Sequence, residues 1–295
     1  MAVRFAPSPT GRFHVGNLRT AWVSWRWART LGRPWIVRFE DIDGPRVVPG
    51  ARETQLADMA AIGCVPDLVR IQSERISRYF EFVHELWRRD DVYPCFCSRA
   101  EVAAHLAGLA SAPHARPPLY DGRCRHLSVA KRQSLAASNP KVGWRLRSRL
   151  SAEGFHDLPL ARSRYGEAGP VLADFVPSYN LACGLDDLEE GYDLVVRAWD
   201  LEEALKDQRQ IADFLEGKPR LPAVFHASLV VHNDGRRLEK RSRGVTWPEL
   251  SASGWTGGRL LERFEASVAE TSFVPAEAAV GGERRRTLSL ADLGI

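Results

Sequence analysis

The sequence predicts an α/β fold built on a parallel sheet, and three observations carry that expectation. Val3 to Phe5 is a short apolar run stopped by the turn residues Pro7 to Gly11, and Leu18, Ala21, Trp22 and Trp25 follow at helical spacing. Pro34 to Phe39 repeats the apolar run after a helix stop near Gly32, which is the strand–helix–strand order of a parallel crossover. Far downstream, Tyr192 to Val196 is another apolar strand, ending in Arg197.

Composition sets the frame. A chain of 295 residues buries one substantial core and has room for an inserted or appended module. The formal charge of +4 is compatible with nucleic acid and does not demand it. No signal peptide or membrane-spanning run is visible, so a cytoplasmic enzyme without a membrane partner is expected. Five cysteines, an odd number, argue against a disulfide framework; Cys64 and Cys183 read as core, leaving Cys95, Cys97 and Cys124.

In chain order, His14, Gly16 and Asn17 fall at the start of the first helix, where amide groups and the helix dipole favour a phosphate. Glu40 and Asp41 arrive at the carboxyl end of the second strand, a place where such sheets put ligand groups. Gly50 to Ile62 and Arg75 to Arg89 read as core-facing helices. Tyr93 to Cys97 is strand-like, Ser98 and Glu101 form a capping-box pattern, and a Pro- and Ala-rich loop leads to Tyr120-Asp121-Gly122-Arg123-Cys124. The three thiols supply most of a tetrahedral zinc shell; chemistry alone leaves the fourth ligand open between His126 and His114. Gly143 to Leu150 alternates as a half-exposed strand whose arginine face reads as a solubility device. Val171 to Phe175 reads as a return to the central sheet, and Val224 to Val231 as one strand before the turn Asn233-Asp234-Gly235 and the basic stretch Arg236 to Ser242. A helix carries Leu260, Leu261 and Phe264, and Pro275 to Ile295 is a tail without periodicity, expected to be partly mobile.

The string Arg4-Phe5-Ala6-Pro7-Ser8-Pro9-Thr10-Gly11 with His14-Val15-Gly16-Asn17 resembles the opening of the glutamyl-tRNA synthetases, His14 to Asn17 standing as the HIGH element of class I synthetases. Arg38-Phe39-Glu40-Asp41-Ile42-Asp43 and the later Tyr179-Asn180-Leu181-Ala182, Asp186-Asp187 and Val196-Arg197 resemble two further blocks of that family, in the expected order. The cysteine pattern narrows the resemblance to the short glutamyl-queuosine tRNA(Asp) synthetases, whose zinc site is built from Cys-x-Cys and Tyr-x-x-x-Cys, matched here by Cys95, Cys97, Tyr120 and Cys124.

The resemblance implies a class I aminoacyl-tRNA synthetase Rossmann fold, its parallel sheet in two halves (1–92 and 172–250), split by a zinc-bearing α/β module (93–171) and followed by a C-terminal helix and tail (251–295), with no anticodon-binding domain. It implies that Arg4, assisted by Ser8, holds the side-chain carboxylate of glutamate, that Glu40 binds its amino group, and that Tyr179 and Arg197 belong to the same pocket. His14, Gly16 and Asn17 would bind ATP with Mg²⁺, and Lys240, in the position of the KMSKS-type loop, would stabilise the departing pyrophosphate. The implied reaction forms glutamyl-adenylate without tRNA and passes glutamate to queuosine in the anticodon of tRNA(Asp), with structural Zn²⁺; a monomer is the expectation for the assembly. Two departures stand out: Trp199, where the family has a small or acidic residue, and Glu239, where it has Ser. They keep two alternatives open, an adenylate-forming ligase that amidates a small amine or carrier, and an inactive paralogue that binds tRNA or amino acid.

Overall fold

The structure, a computed structural model, describes residues 1–98, 100–104, 120, 122–148, 157–217, 220–238, 245–268 and 280–295. In chain order its main elements are β1 (Val3–Phe5), α1 (Val15–Thr30), β2 (Trp35–Phe39), α2 (Ala51–Ala61), β3 (Leu68–Ile71), α3 (Ile76–Arg88), β4 (Val92–Cys95), α4 (Val129–Ser138), β5 (Lys141–Leu146), β6 (Pro159–Gly166), β7 (Gly169–Pro170), β8 (Val176–Pro177), α5 (Tyr179–Glu189), β9 (Leu194–Ala198), α6 (Ala204–Ala212), β10 (Ala223–Ala227), β11 (Leu229–Val231), α7 (Trp247–Ala252), α8 (Gly257–Ala266), β12 (Val280–Gly282) and β13 (Thr287–Ser289). They form two compact units, Met1–Ser73 with Asp187–Leu205 and Pro219–Ile295, and Glu74–Asp186 with Lys206–Lys218. The second unit is wider than the 93–171 module expected from the sequence. Among the described residues no helix is long and apolar enough to cross a membrane.

The first unit is a six-stranded parallel sheet in the order β12-β10-β9-β1-β2-β3. Its two faces separate by residue parity. Val3, Phe5, Trp35, Val37, Phe39, Leu194, Val196, Phe225 and Ala227 share a core with Leu18, Trp22 and Trp27 of α1. That helix is buried almost all round, which accounts for its run of tryptophans. The opposite face starts apolar, with Ala2, Ile36, Val195 and Val224, and turns charged toward the carboxyl ends of the strands, where Arg4, Arg38, Arg197 and His226 lie.

Two expectations are corrected here. The run Val224 to Val231 is not one strand: it divides at Ser228 into β10, in the parallel sheet, and β11, which pairs with β13 in a separate two-stranded sheet. The break follows from Ser228 giving its backbone N–H to the Glu283 carboxylate and its hydroxyl to the Arg285 carbonyl. The tail without periodicity does not extend to 280–295, where β12 extends the sheet beside β10 and Leu288, Leu290 and Leu293 are buried.

The second unit is built on an antiparallel sheet in the order β4-β5-β6-β7, with β8 also on β6. In β5, Val142, Trp144 and Leu146 point inward, and Trp144 packs with Trp87 and Tyr165 while its indole N–H donates to Ser163 at 2.8 Å. Val171 to Phe175 does not return to the central sheet: Leu172–Asp174 is a 3₁₀ turn, fixed by Asp174 accepting from the Arg164 backbone at 3.0 Å.

The close seating of β12 is testable. A Cβ on Gly282 would lie 2.6 Å from the His226 carbonyl oxygen and from Trp199, so Gly282→Ala should destabilise the protein by about 1–3 kcal/mol, read as a lowered Tm in thermal unfolding.

Candidate functional site

The first cluster is the start of α1. His14 is its N-cap in an extended conformation, and a reciprocal capping box closes the turn: the Asn17 amide donates to His14 Nδ1 at 3.3 Å, and the His14 amide to Asn17 Oδ1 at 3.3 Å. An imidazole that accepts at Nδ1 in its neutral form carries its proton on Nε2, so the ring is oriented as a donor. The Val15 amide is taken by the Val245 carbonyl at 2.7 Å. Gly16 is crowded by protein: a Cβ there would stand 3.0 Å from the Val230 side chain and 3.1 Å from the His14 ring. The Pro7–Gly11 turn that leads into this helix is held from below by Gln55, whose buried amide donates to the carbonyls of Gly11 at 2.6 Å and Ser8 at 3.3 Å.

The second cluster is the charged end of the sheet. Asp187 pairs with Arg4 through both carboxylate oxygens, Arg4 Nε donating to Oδ1 at 3.0 Å, and with Arg38 Nη1 at 2.8 Å. Arg38 reaches on to Glu40 Oε1 at 3.3 Å. All four groups are nearly inaccessible, with side-chain exposures of 3 % for Arg4, 0 % for Arg38, 7 % for Glu40 and 8 % for Asp187. Burial pushes the Glu40 carboxyl up against the opposing pull of Arg38 and Arg4. Asp187 is also raised by burial, but the two guanidinium groups outweigh this and hold it below the usual carboxylate range. Arg197, buried, stands in register with His226 on the neighbouring strand.

Of the residues expected to act on substrate, Arg4, Ser8, His14, Gly16, Asn17, Glu40 and Arg197 lie in this first unit, Ser8 on an exposed turn. Tyr179 opens α5 in the second unit, and Lys240, like Glu239, lies outside the described residues. Asp41 has a structural task, accepting from the Ser73 amide and hydroxyl, each at 2.8 Å. Sequence reasoning missed Asp187, Arg38 and Gln55 as supports; a buried-strand arginine was the one available signal, since Arg38 interrupts an apolar run.

The third cluster belongs to the second unit. The sulfurs of Cys95, Cys97 and Cys124 lie within 4.8 Å of one another, with Cys97 and Cys124 at 3.6 Å and the Tyr120 hydroxyl 3.1 Å from Cys95 and 3.9 Å from Cys97. A tetrahedral zinc site with bonds of about 2.3 Å has sulfur–sulfur edges of about 3.8 Å, so the donor set fits the metal. Gly122 makes the turn that brings Tyr120 and Cys124 together, at φ +72° with its carbonyl accepting from the Arg125 amide at 2.6 Å. His126 is exposed and is not part of the cluster, and His114 lies outside the described residues. Arg145 caps the Tyr120 ring at 3.8 Å, and buried Asp157 accepts from Tyr93 at 2.7 Å and from Arg125 at 3.3 Å.

Residues 1–258 match the family of class I tRNA synthetases (E and Q), catalytic domain. The chain belongs to that family. Its relatives include the glutamyl-Q tRNA(Asp) synthetase of Nocardia farcinica, 40% identical over 88% of this chain and 82% of that protein. The glutamate–tRNA ligase 2 of Syntrophus aciditrophicus is 32% identical over 85% of this chain and 54% of its own. A solved glutamate tRNA ligase from Elizabethkingia meningosepticum shares the fold with a TM-score of 0.72 at 21% identity, covering 99% of this chain and 64% of that one. The protein is thus a class I aminoacyl-tRNA synthetase-like ligase, grouped with the glutamyl-Q tRNA(Asp) synthetases.

The departure at Trp199 finds a local reason in this synthetase. The indole stacks on His226 with centroids 4.8 Å apart, its N–H donates to the Glu283 carbonyl at 3.2 Å, and Arg286 lies 4.6 Å over the ring. Trp199 is the seat of β12.

Replacing Asp187 with Asn would leave two buried guanidinium groups short of a counter-charge, and should cost about 3–5 kcal/mol in urea unfolding. Because the folded pKa of Asp187 is depressed, its contribution is complete above the unfolded value of about 3.9 and is lost as pH falls through the folded value; D187N should therefore flatten the acid limb of the stability curve.

Proposed function

We propose that the chain activates glutamate with ATP, giving glutamyl-adenylate and pyrophosphate without tRNA, and then transfers the glutamyl group to queuosine in the anticodon of tRNA(Asp). The observation that carries the first step is the conjunction in one unit of a helix start whose His14 ring is turned to donate with a buried cluster of two carboxylates and three arginines at the carboxyl end of the parallel sheet. Such a cluster matches an amino acid bearing one ammonium and two carboxylates. The acceptor rests on the glutamyl-Q tRNA(Asp) synthetases among its relatives.

In this reading Glu40 binds the ammonium. Arg4, its plane fixed by Asp187, and Ser8 meet the side-chain carboxylate, with Arg197 beside them; Tyr179, in the second unit, is the further residue that the family resemblance assigns to glutamate. The α-carboxylate attacks the α-phosphorus; its oxygen–phosphorus bond forms as the bond to pyrophosphate breaks, and no protein nucleophile is needed. The His14 Nε2–H, with Gly16 and Asn17 at the helix start, binds the nucleotide, which carries Mg²⁺. Lys240 offsets charge on the departing pyrophosphate. Cys95, Cys97, Tyr120 and Cys124 would hold Zn²⁺ in a closed, structural shell that supplies folding energy to the second unit and no catalytic step. The protein acts as a monomer.

Amino-acid-dependent ATP–pyrophosphate exchange tests the reading: glutamate alone should support exchange, without tRNA, and silence with glutamate in folded, zinc-loaded protein would overturn it. Because Glu40 must be ionised to hold an ammonium and burial raises its pKa, the KM for glutamate should climb as pH falls through that raised value while the KM for ATP stays level, and Glu40→Gln should abolish the trend. Metal analysis of purified protein should find one zinc per chain, and Cys97→Ser should lose most of it along with cooperative unfolding of the second unit.

A further inference from the structure

Residues 280–295 lie beyond the part of the chain that matches the family, yet one of them reaches the walls of the site. Glu283 follows β12 and is 5 % exposed. Every polar group it has is in use. Its amide donates to the His226 carbonyl at 2.9 Å, and its own carbonyl accepts from Trp199. Its carboxylate accepts from the Ser228 amide and from both terminal nitrogens of Arg19, one of them at 2.8 Å. Arg19 is fully buried, one turn into α1 from Gly16, and its Nε donates to the Ser267 hydroxyl at 2.9 Å. Ser228 is the residue at which β10 gives way to β11.

One carboxylate therefore ties α1 to the start of β11. These are the two elements that meet at Gly16, where Val230 of β11 packs against the helix start. A bidentate guanidinium–carboxylate pair fixes angle as well as distance, so the strut sets how closely β11 approaches His14 and Gly16. We propose that Glu283 is a positioning residue for the nucleotide site, holding α1 and β11 at the separation that binds ATP. The proposal rests on the reading of that site as the ATP site.

The test separates positioning from folding. Glu283→Gln keeps the size of the side chain but turns an N–H toward Arg19 or toward the Ser228 amide, so one arm of the strut is lost. ATP–pyrophosphate exchange by wild type and E283Q, assayed well below the melting temperature of each, gives KM for ATP and for glutamate separately. The expected result is a KM for ATP raised about tenfold or more, with KM for glutamate changed less than about twofold, because a small misplacement acts through the group it positions. Arg19→Lys, which keeps the charge and loses the fork, should show the same split and serves if E283Q does not fold. A lowered Tm with both KM values unchanged would overturn the proposal and leave Glu283 a packing residue. Equilibrium dialysis with a non-hydrolysable ATP analogue distinguishes the two failures: wild type that binds no nucleotide removes the ATP-site reading and the strut with it, whereas equal binding by wild type and E283Q removes the strut alone.

Discussion

The arrangement of the first unit depends on a buried carboxylate shared by two arginines. Arg4 and Arg38 stand on adjacent parallel strands, on a face that is apolar one turn of pleat lower, and Asp187 is the counter-charge they share there. The need for that partner constrains the whole chain. Asp187 sits 183 residues from Arg4, so the positive charge of the sheet end meets its counter-charge only when α5 has brought that residue home. Glu40 then stands where burial and two guanidinium groups pull in opposite directions, and burial prevails, so its carboxyl is held above its ordinary pKa.

The sequence made the local elements visible and hid the long-range ones. The start of α1, its end near Gly32, the strand before Glu40 and the Ser98–Glu101 capping box all follow from chemistry within a few residues, and the structure has each of them. The cysteine cluster was legible as three thiols; their chemistry left His126 and His114 open as a fourth donor and the resemblance pointed to Tyr120, whose place beside the thiols turns on Gly122 and on Arg145 of β5 lying over its ring. The break at Ser228 was hidden for a similar reason: apolar strand formers flank Ala227 and Ser228 on both sides, and it is Glu283, 55 residues on, that withdraws the Ser228 amide from the ladder. Strands β12 and β13 are three residues each, too short to leave a period. Arg38 shows the limit in the other direction, since a charged residue inside an apolar run announces a partner without saying which.

Trp199 and Gly282 illustrate how an unusual residue can be structural. A large indole at the end of β9 would be a poor neighbour for a substrate pocket if it turned inward. Here it is held between His226 and Arg286, and the bare Cα of Gly282 makes the space that lets β12 close on it. The pairing of a bulky residue with a distant glycine is a packing solution, and it removes one ground for assigning the chain a different substrate.

The position of β1 carries a kinetic consequence. The strand nearest the amino terminus lies inside the sheet, between β2 and β9, with Val3 beside Leu194. A partial chain that stops short of residue 194 can form β1, β2 and β3 but leaves one side of β1 as a bare row of amide and carbonyl groups. Parallel pairings between such remote segments form slowly, because loop-closure entropy is lost before any contact compensates it. During that interval the motif that marks the family is also the edge most open to pairing with another chain, so aggregation in folding should begin at β1 and be suppressed by whatever speeds the arrival of β9.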